Sequence, residues 1–213
     1  MTDSAAFAAL SPTTLADVLG RAQIMRLGIA PLWAGMPRVA GPAFPVRCPP
    51  GDNLMLHAAI YRAPIGSIIV VAAGDCDYAV AGGNVCRTAQ RHGITAFVID
   101  GVIRDLGEVR EARFPVFARG VQPIPGVKGR LDAFNQPVVC GGVTVNPGDL
   151  VVADEEGIVV VPSDQANAIL LAAQQRAAKD AAETLDEWEA SHRKKIDALL
   201  AEKGFTPAGP TGG

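Results

Sequence analysis

The chain has 213 residues, a formal net charge of −3 at pH 7 and 49% hydrophobic residues. This length fits one domain, or one domain with an appended helix, and the apolar content can form a substantial core. Because lysines and arginines form no extended cluster along the sequence, we expect no binding to nucleic acid or to anionic membranes. The N-terminus lacks the pattern of a secretory signal, and no apolar stretch is long enough to span a bilayer. We therefore expect a cytoplasmic protein.

The cysteines and histidines do not suggest a zinc site. The four cysteines, Cys48, Cys76, Cys86 and Cys140, are scattered and form no CxxC pair, and the chain has only three histidines. Each cysteine has apolar neighbours in the sequence, which predicts four buried thiols that behave as small hydrophobic side chains.

The N-terminal part of the sequence predicts two helices separated by loops. Residues 11–25 are predicted to form a helix, because Thr14 and Asp17 give a helix-start signal and apolar residues recur on one face. The Pro/Gly-rich passage 28–51 predicts loops and short strands. Residues 53–61 predict a second helix, ended by Pro64 and Gly66.

The central part has the pattern of a parallel α/β sheet. Residues 67–73 and 95–100 are continuous apolar runs, as in strands that are buried on both faces. Between them, residues 84–92 predict a helix closed by Gly93. A strand, a helix and a strand with short connections form a βαβ unit, so we expect these two strands to be parallel. A short helix over 106–112 and a strand over 115–119 follow.

The C-terminal part changes from strands to helix. Short strands are predicted over 137–140, 143–145, 150–153 and 157–161, joined by Gly- and Asp-containing turns as in a meander. From residue 164 the chain is predicted to be helical almost to Gly204. Leu185, Trp188, His192, Ile196 and Leu199 form a narrow stripe, which would pack on the body of the protein or against another subunit. We therefore predict a domain over 1–163, a helical extension over 164–205 and a flexible tail over 206–213.

Two short segments carry candidate chemistry. Gly82 and Gly83 open the helix of the βαβ unit, and a helix N-terminus offers unpaired N–H groups to a carboxylate. Arg104 and Asp105 follow the neighbouring strand, at the same edge of the sheet. The guanidinium can hold a carboxylate or an oxyanion, and the carboxylate can hold a hard divalent cation. Taken singly, each segment is also compatible with an ordinary turn or a surface ion pair.

Three segments together resemble the family of the regulator of ribonuclease activity A. They are GGNVCRTAQ at 82–90, VIDGVIRD at 98–105 and GDLVVADEEGIVVVP at 148–162, and the resemblance covers roughly residues 10–205. The family includes class II 4-hydroxy-4-methyl-2-oxoglutarate aldolases and related oxaloacetate decarboxylases. The resemblance implies an α/β fold, namely a swivelling β/β/α domain with a long C-terminal helix. It also implies a homotrimer or homohexamer whose active sites lie between subunits.

The resemblance also implies roles for residues of this chain. Asp105 would bind a divalent metal, Mg²⁺ or Mn²⁺, whose remaining ligands are mostly water. Arg104 would contact the keto oxygen and carboxylate of the pyruvate half of a 2-oxo acid substrate. The helix start, Gly82 and Gly83 with the backbone amides of Asn84 and Val85, would take that carboxylate. Retro-aldol cleavage and β-decarboxylation both leave pyruvate enolate, so the resemblance implies a metal-dependent lyase that performs one or both reactions.

The chain departs from the aldolase pattern at two positions. Gly83 stands where many aldolases carry an acidic residue that contacts a metal-bound water, which favours decarboxylation over aldol cleavage. A glutamate that the neighbouring subunit contributes in the family corresponds by ungapped spacing to Asp180, a shorter carboxylate. We expect Asp180 either to serve the site of a neighbour or to be an ordinary solvated side chain.

Two other functions fit parts of the sequence. Some members of the family are non-catalytic regulators that bind a ribonuclease or another protein; they often lack the acidic metal ligand, whereas Asp105 is present here. The family has also carried the label of methyltransferase. An S-adenosylmethionine site would need a glycine-rich loop after the first strand, where this chain has Gly74-Asp75-Cys76-Asp77. The sequence therefore favours a lyase.

Overall fold

The computed structural model describes residues 3–205. The chain begins with two short helices, α1 (Ser4–Ala8) and α2 (Pro12–Ala16). The predicted helix over 11–25 is therefore wrong in length. Ser11, not Thr14, caps α2, and Asp17 ends it. After a 3₁₀ turn at Arg21–Gln23, Ile24 pairs with a strand residue, Val159, so the chain is drawn into the sheet instead of continuing as a helix.

The strands form one large sheet and one hairpin. They are β1 (Ala30–Pro31), β2 (Val39–Arg47), β3 (Ile68–Ala72), β4 (Ala96–Ile103), β5 (Val116–Val121), β6 (Val138–Cys140), β7 (Val143–Val145), β8 (Leu150–Asp154) and β9 (Gly157–Val161). The large sheet has the order β1-β5-β4-β3-β2-β8-β9. Strands β2, β3, β4 and β5 are parallel to their neighbours in this group, while β1, β8 and β9 pair antiparallel.

Strand β2 joins the parallel and antiparallel parts of the sheet. Its residues 39–42 pair with β8, and its residues 43–47 pair with β3. The long strand therefore has a different neighbour along each half. This arrangement accommodates Pro42 and Pro45, which have no N–H to donate to the sheet.

Three helices cover one face of the parallel strands: α3 (Leu54–Ile60), α4 (Gly83–Arg91) and α5 (Leu106–Glu111). The core on this face includes Leu56, Cys86 and Val109 from the helices, packed with strand residues such as Ile99. On the other face, alternate strand residues pack against the β6–β7 hairpin. Because both faces are covered, the parallel strands are mostly apolar. The predicted parallel βαβ unit β3–α4–β4 is confirmed.

The predicted meander over 137–161 is only partly correct. Strands β6 and β7 form their own two-stranded sheet, and β8 and β9 extend the large sheet beside β2. A turn at Asn146–Asp149 separates the two hairpins. The buried carboxylate of Asp149 stabilises this turn by accepting hydrogen bonds from the backbone N–H groups of Asn146 and Ser163.

The chain divides into two compact units, one ending at Gln174 and one starting at Gln175. The division lies inside α6 (Ala166–Ala182), beyond the predicted boundary at 163. The predicted continuous helix is interrupted, because Thr184 starts α7 (Leu185–Glu202) with a reciprocal capping box to Glu187. No residue of α7 is buried. The predicted tail over 206–213 lies outside the described residues.

The burial of the cysteines and the length of the apolar helices were also predicted from the sequence. Cys48, Cys86 and Cys140 are buried as predicted, whereas Cys76 is exposed, because it lies in the loop that follows β3. Within residues 3–205, no helix is long and apolar enough to cross a membrane.

Candidate active site

The two sequence motifs meet at one edge of the parallel sheet. Strand β4 ends at Ile103, and the backbone N–H of Arg104 donates to the carbonyl of Ala81, just before α4, at 2.9 Å. Asp105 begins α5 with a left-handed backbone (φ 58°, ψ 38°). This conformation costs energy for most residues but is tolerated by aspartate, and such residues cluster at functional sites.

The carboxylate of Asp105 is fixed between the two motifs. Its Oδ2 accepts a hydrogen bond from the backbone N–H of Gly83 at 3.2 Å and lies 3.4 Å from Nε of Arg104. The absence of a side chain at Gly82 makes this approach possible, since a Cβ there would collide with Oδ2 and lie 3.1 Å from Cγ of Arg104. Gly82 is therefore required for the shape of the site rather than for an unusual φ.

A cavity of about 110 Å³ opens at this point. Asp105, Arg104 and the start of α4, including Gly82, Asn84 and Val85, line it. The structure therefore brings these residues together at one location, and their roles stay predictions. The side chains of Arg104 and Asp105 are 41% and 38% exposed, so a ligand from solvent can reach both.

The cavity is completed by three polar residues that the sequence analysis did not single out: Asn53, His57 and Lys128. Asn53 precedes α3, and His57 lies one turn further along the same helix face. Lys128 lies in the loop after β5. The only sequence feature that could have pointed to these residues is the four-residue spacing of Asn53 and His57, and that spacing is equally common on helices without a functional site.

His57 is uncharged at neutral pH. Burial, reinforced by the positive charge of Lys128, lowers the pKa of His57 to about 4, although a hydrogen bond to the Val80 backbone acts in the opposite direction. The wall formed by α3 therefore presents a neutral imidazole to the cavity, while Lys128 and Arg104 supply positive charge elsewhere in its lining.

Asp52 holds the Lys128 loop in place. Its buried carboxylate accepts hydrogen bonds from the backbone N–H groups of Gly129 (2.7 Å), Arg130 (3.0 Å) and Leu54 (2.8 Å). Burial opposes ionisation of Asp52, but these hydrogen bonds outweigh it and keep the pKa of this carboxyl below its usual value. One carboxylate thus joins the start of α3 to the loop that carries Lys128.

The fit of a divalent cation can be judged from the donor set. Among the residues that the structure describes, no group of three or more histidine, cysteine or acidic side chains could enclose a metal. Asp105 offers a single carboxylate, whose Oδ1 has no hydrogen-bond partner in the described chain. One protein carboxylate with the remaining positions taken by water suits Mg²⁺, which keeps several waters when bound.

Asp180 lies in the second compact unit. It forms an ion pair with Arg176 at 3.3 Å, one turn earlier in α6, and its side chain is 46% exposed. Such a pair is ordinary on a helix surface and contributes little stability. A role of Asp180 at the site of a neighbouring subunit stays a prediction.

A larger cavity, of about 310 Å³, surrounds a second arginine. There Arg119 is paired with the carboxylate of Asp100, whose other oxygen accepts the N–H of Gly141 at 2.8 Å. Because Asp100 neutralises Arg119 and fixes the β6–β7 turn, this cluster has a structural explanation. The Asp105 site is the better candidate for chemistry.

The sequence comparison identifies the family. The model of the RraA-like family, described as Aldolase/RraA, matches residues 12–160, and the chain belongs to this family. A Halalkalibacterium halodurans protein named "Putative 4-hydroxy-4-methyl-2-oxoglutarate aldolase" is 38% identical over 200 residues, which cover 93% of this chain and 91% of that protein.

Solved structures confirm the fold. Streptomyces coelicolor RraAS2, described as an unusual member of the RNase ES inhibitor RraA protein family, superposes with a TM-score of 0.71 at 31% identity, covering 90% of this chain and 96% of that one. A Geobacillus kaustophilus protein described as an S-adenosylmethionine:2-dimethylmenaquinone methyltransferase gives 0.65 at 27% identity, covering 73% and 96%. These relatives carry different functional names, so the activity has to be argued from the site.

Proposed function

We propose that this protein is a divalent-metal-dependent lyase that acts on 2-oxo acids through a pyruvate enolate. The reaction is retro-aldol cleavage of a 4-hydroxy-2-oxo acid, decarboxylation of oxaloacetate, or both. The observation that carries the proposal is the contact of Asp105 with both Gly83 and Arg104 beside one solvent-accessible cavity. The aldolase name of the Halalkalibacterium halodurans relative supports the same chemistry.

The start of α4 would hold the carboxylate of the substrate. The N–H of Gly83 is already used by Asp105, but the N–H groups of Asn84 and Val85 lie in the first turn of the helix, where no intrahelical acceptor is available. They line the cavity, and the positive end of the helix dipole favours an anion there.

Arg104 would orient the keto group and stabilise charge. Its guanidinium lies beside Asp105 and faces the same cavity. A planar cation that donates several hydrogen bonds can bind the carboxylate and the keto oxygen together. As negative charge develops on that oxygen, the interaction becomes stronger, and this difference accelerates the reaction.

Asp105 would hold the metal. When bound there, Mg²⁺ or Mn²⁺ would supply Lewis-acid stabilisation of the enolate oxygen. The hydrogen bond from Gly83 orients the Asp105 carboxylate and leaves Oδ1 available for this role.

Both reactions break a bond to the same carbon. In retro-aldol cleavage the C3–C4 bond breaks, its electron pair forms the enolate, and the C4 hydroxyl gives its proton to a water molecule as it becomes a carbonyl. In decarboxylation the bond to the C4 carboxylate breaks and carbon dioxide leaves. In each case protonation of the enolate carbon gives pyruvate, and Arg104 faces the same developing charge.

The proposed assembly is a homotrimer or homohexamer with shared sites, in which Asp180 reaches the site of a neighbour. The exposed apolar side chains of α7, among them Leu185, Trp188 and Ile196, support a subunit contact. A non-catalytic regulator that binds a ribonuclease or another protein is the second candidate, because RraAS2 belongs to an inhibitor family.

The test is a substrate screen with the purified protein. Oxaloacetate and 4-hydroxy-4-methyl-2-oxoglutarate are supplied with Mg²⁺ or Mn²⁺, and pyruvate is measured with lactate dehydrogenase and NADH. We expect pyruvate formation that requires metal and stops with EDTA. Full activity in excess EDTA would contradict the metal requirement. No turnover of either substrate would instead favour a regulator.

A further inference from the structure

The α3 wall of the cavity carries two polar atoms that are left without a partner. They are Oδ1 of Asn53 and Nε2 of His57, both buried, and no described group forms a hydrogen bond with either. Asn53 is only 4% exposed, and both residues line the cavity that contains Arg104 and Asp105. A buried polar atom without a partner costs about 1–3 kcal/mol, so these atoms point to a bound group.

The remaining hydrogen bonds of Asn53 fix which of its side-chain atoms is left without a partner. Its side-chain Nδ2 donates to the carbonyl of Gly126 at 3.1 Å, and its backbone N–H donates to Val127 at 2.8 Å. With the amide nitrogen occupied by Gly126, Oδ1 is left as the free group. An amide oxygen can only accept a hydrogen bond.

His57 also presents an acceptor. The imidazole is neutral, so only one of its two nitrogens carries a proton. Contact with the Val80 backbone raises the pKa of His57, as expected when a carbonyl accepts the imidazole N–H, and Nε2 has no partner among the described residues, so we assign the proton to Nδ1. The backbone N–H of Val80 already donates to Val102 at 3.0 Å, so its carbonyl is the acceptor for Nδ1–H. Nε2 therefore has a free lone pair.

Two acceptors on one helix face require a donor from the ligand. A carboxylate or keto oxygen would be repelled by both lone pairs, whereas a hydroxyl can donate to either of them. Arg104 and Lys128 elsewhere in the lining bring positive charge for the anionic groups of the same ligand. This chemistry fits a 2-oxo acid with a hydroxyl beyond the keto group.

We propose that Asn53 and His57 form a hydroxyl-recognition pair that selects 4-hydroxy-2-oxo acids over 2-oxo acids without a hydroxyl. This inference rests on the proposed function, because it concerns the same cavity. It also opposes the expectation, drawn from Gly83, that decarboxylation is the main reaction. Oxaloacetate in its keto form has no hydroxyl and leaves both acceptors unpaired, which is the kind of loss that gives strong discrimination between substrates.

The experiment compares two substrates in four proteins. The quantity measured is kcat/KM for 4-hydroxy-4-methyl-2-oxoglutarate divided by kcat/KM for oxaloacetate. His57→Phe removes the acceptor and should lower this ratio tenfold or more. His57→Gln places an amide near the position of Nε2 and should restore the ratio in part. His92→Phe is the matched control, because His92 ends α4 away from the cavity and contacts Tyr61; it should leave the ratio unchanged.

The outcomes separate this inference from the proposed function. Circular dichroism and thermal unfolding establish that each variant is folded, and Asn53→Ala replaces His57→Phe if the phenylalanine variant does not fold. An unchanged ratio in the folded variant, with both substrates turned over, would overturn hydroxyl recognition, leave the lyase in place and assign the two atoms to bound water. No turnover of either substrate by the wild-type protein would show that the proposed function, and with it this inference, is wrong.

Discussion

The backbone N–H of Gly83 donates a hydrogen bond of 3.2 Å to Oδ2 of Asp105. This bond connects the first residue of α4 to the residue that begins α5. This bond joins the proposed metal ligand directly to the proposed anion-binding helix. Small changes on either side of this contact should affect binding and catalysis together.

The first prediction concerns Asp105 itself. Asp105→Asn should abolish metal-dependent turnover while preserving the fold, since asparagine also tolerates the left-handed backbone of this position. Asp105→Ala should be equally inactive and also less stable, by about 1 kcal/mol. Pyruvate formation and urea unfolding measure the two effects. The control is Glu156→Ala in the exposed turn before β9, which should change neither.

Arg104 is predicted to act in both binding and chemistry. Arg104→Lys keeps the charge but loses the planar, bidentate donor geometry. If the guanidinium stabilises the enolate, kcat should fall tenfold or more, equivalent to about 1.4 kcal/mol or above. Steady-state kinetics with both substrates provides the measurement. A lysine variant with the kcat and KM of the wild-type protein would exclude Arg104 from the mechanism.

Gly82 should tolerate no side chain. In Gly82→Ala the added Cβ would collide with Oδ2 of Asp105, so the carboxylate must move and activity should fall by at least tenfold. Gly107→Ala in α5 is the matched control. A Cβ there meets no atom within 4 Å, and alanine favours a helix by up to about 1 kcal/mol over glycine. Equal activities of the two variants would refute the steric argument.

His57 should make stability depend on pH. The pKa of His57 is about 4 in the folded chain, whereas the ordinary pKa of a histidine side chain, 6.5, applies to the unfolded chain. Between these values the unfolded chain binds a proton that the folded chain does not, so acidification lowers the free energy of unfolding by up to about 1.4 kcal/mol per pH unit. The free energy of unfolding of the wild-type protein should therefore fall relative to that of His57→Phe as pH falls from about 6.5 to about 4. Urea unfolding measures it, and His92→Phe should retain the wild-type slope.

Shared active sites predict complementation between inactive variants. If Asp180 serves a neighbouring subunit, Asp105→Ala and Asp180→Ala should each be inactive or weak, and co-expressing them should restore part of the activity. Some sites in such mixed oligomers combine an intact Asp105 with an intact Asp180. A monomer by light scattering, or no recovery in verified mixed oligomers, would disprove sharing.

The sequence was most informative where the signals were local. Continuous apolar runs predicted β3 and β4, and the intervening helix followed from its glycine boundaries. Since parallel strands end at a common edge, Arg104 could be placed beside the start of α4 without any tertiary information. That juxtaposition is present in the structure, where Arg104 bonds to Ala81.

The rest depended on tertiary contacts between distant segments. Asn53 is held at the cavity by hydrogen bonds to Gly126 and Val127, which lie far along the chain. The hydrophobic periodicity of the sequence cannot predict such a contact. Helix α2 is short because Ile24 pairs with Val159. In both cases a partner more than 70 residues away determines the local conformation, as the separation of 81 residues between Trp33 and its acceptor Phe114 also illustrates.

The double pairing of β2 has a consequence for how the chain is synthesised. The half that pairs with β3 can find its partner early, since residues 68–72 follow soon after residues 43–47. The half at 39–42 must wait until residues 150–153 have left the ribosome. During this interval a strand edge beside the finished parallel sheet is open to other chains. This edge closes only when β8 arrives, because Ala43 then exchanges backbone hydrogen bonds with Gly148 and Asp149.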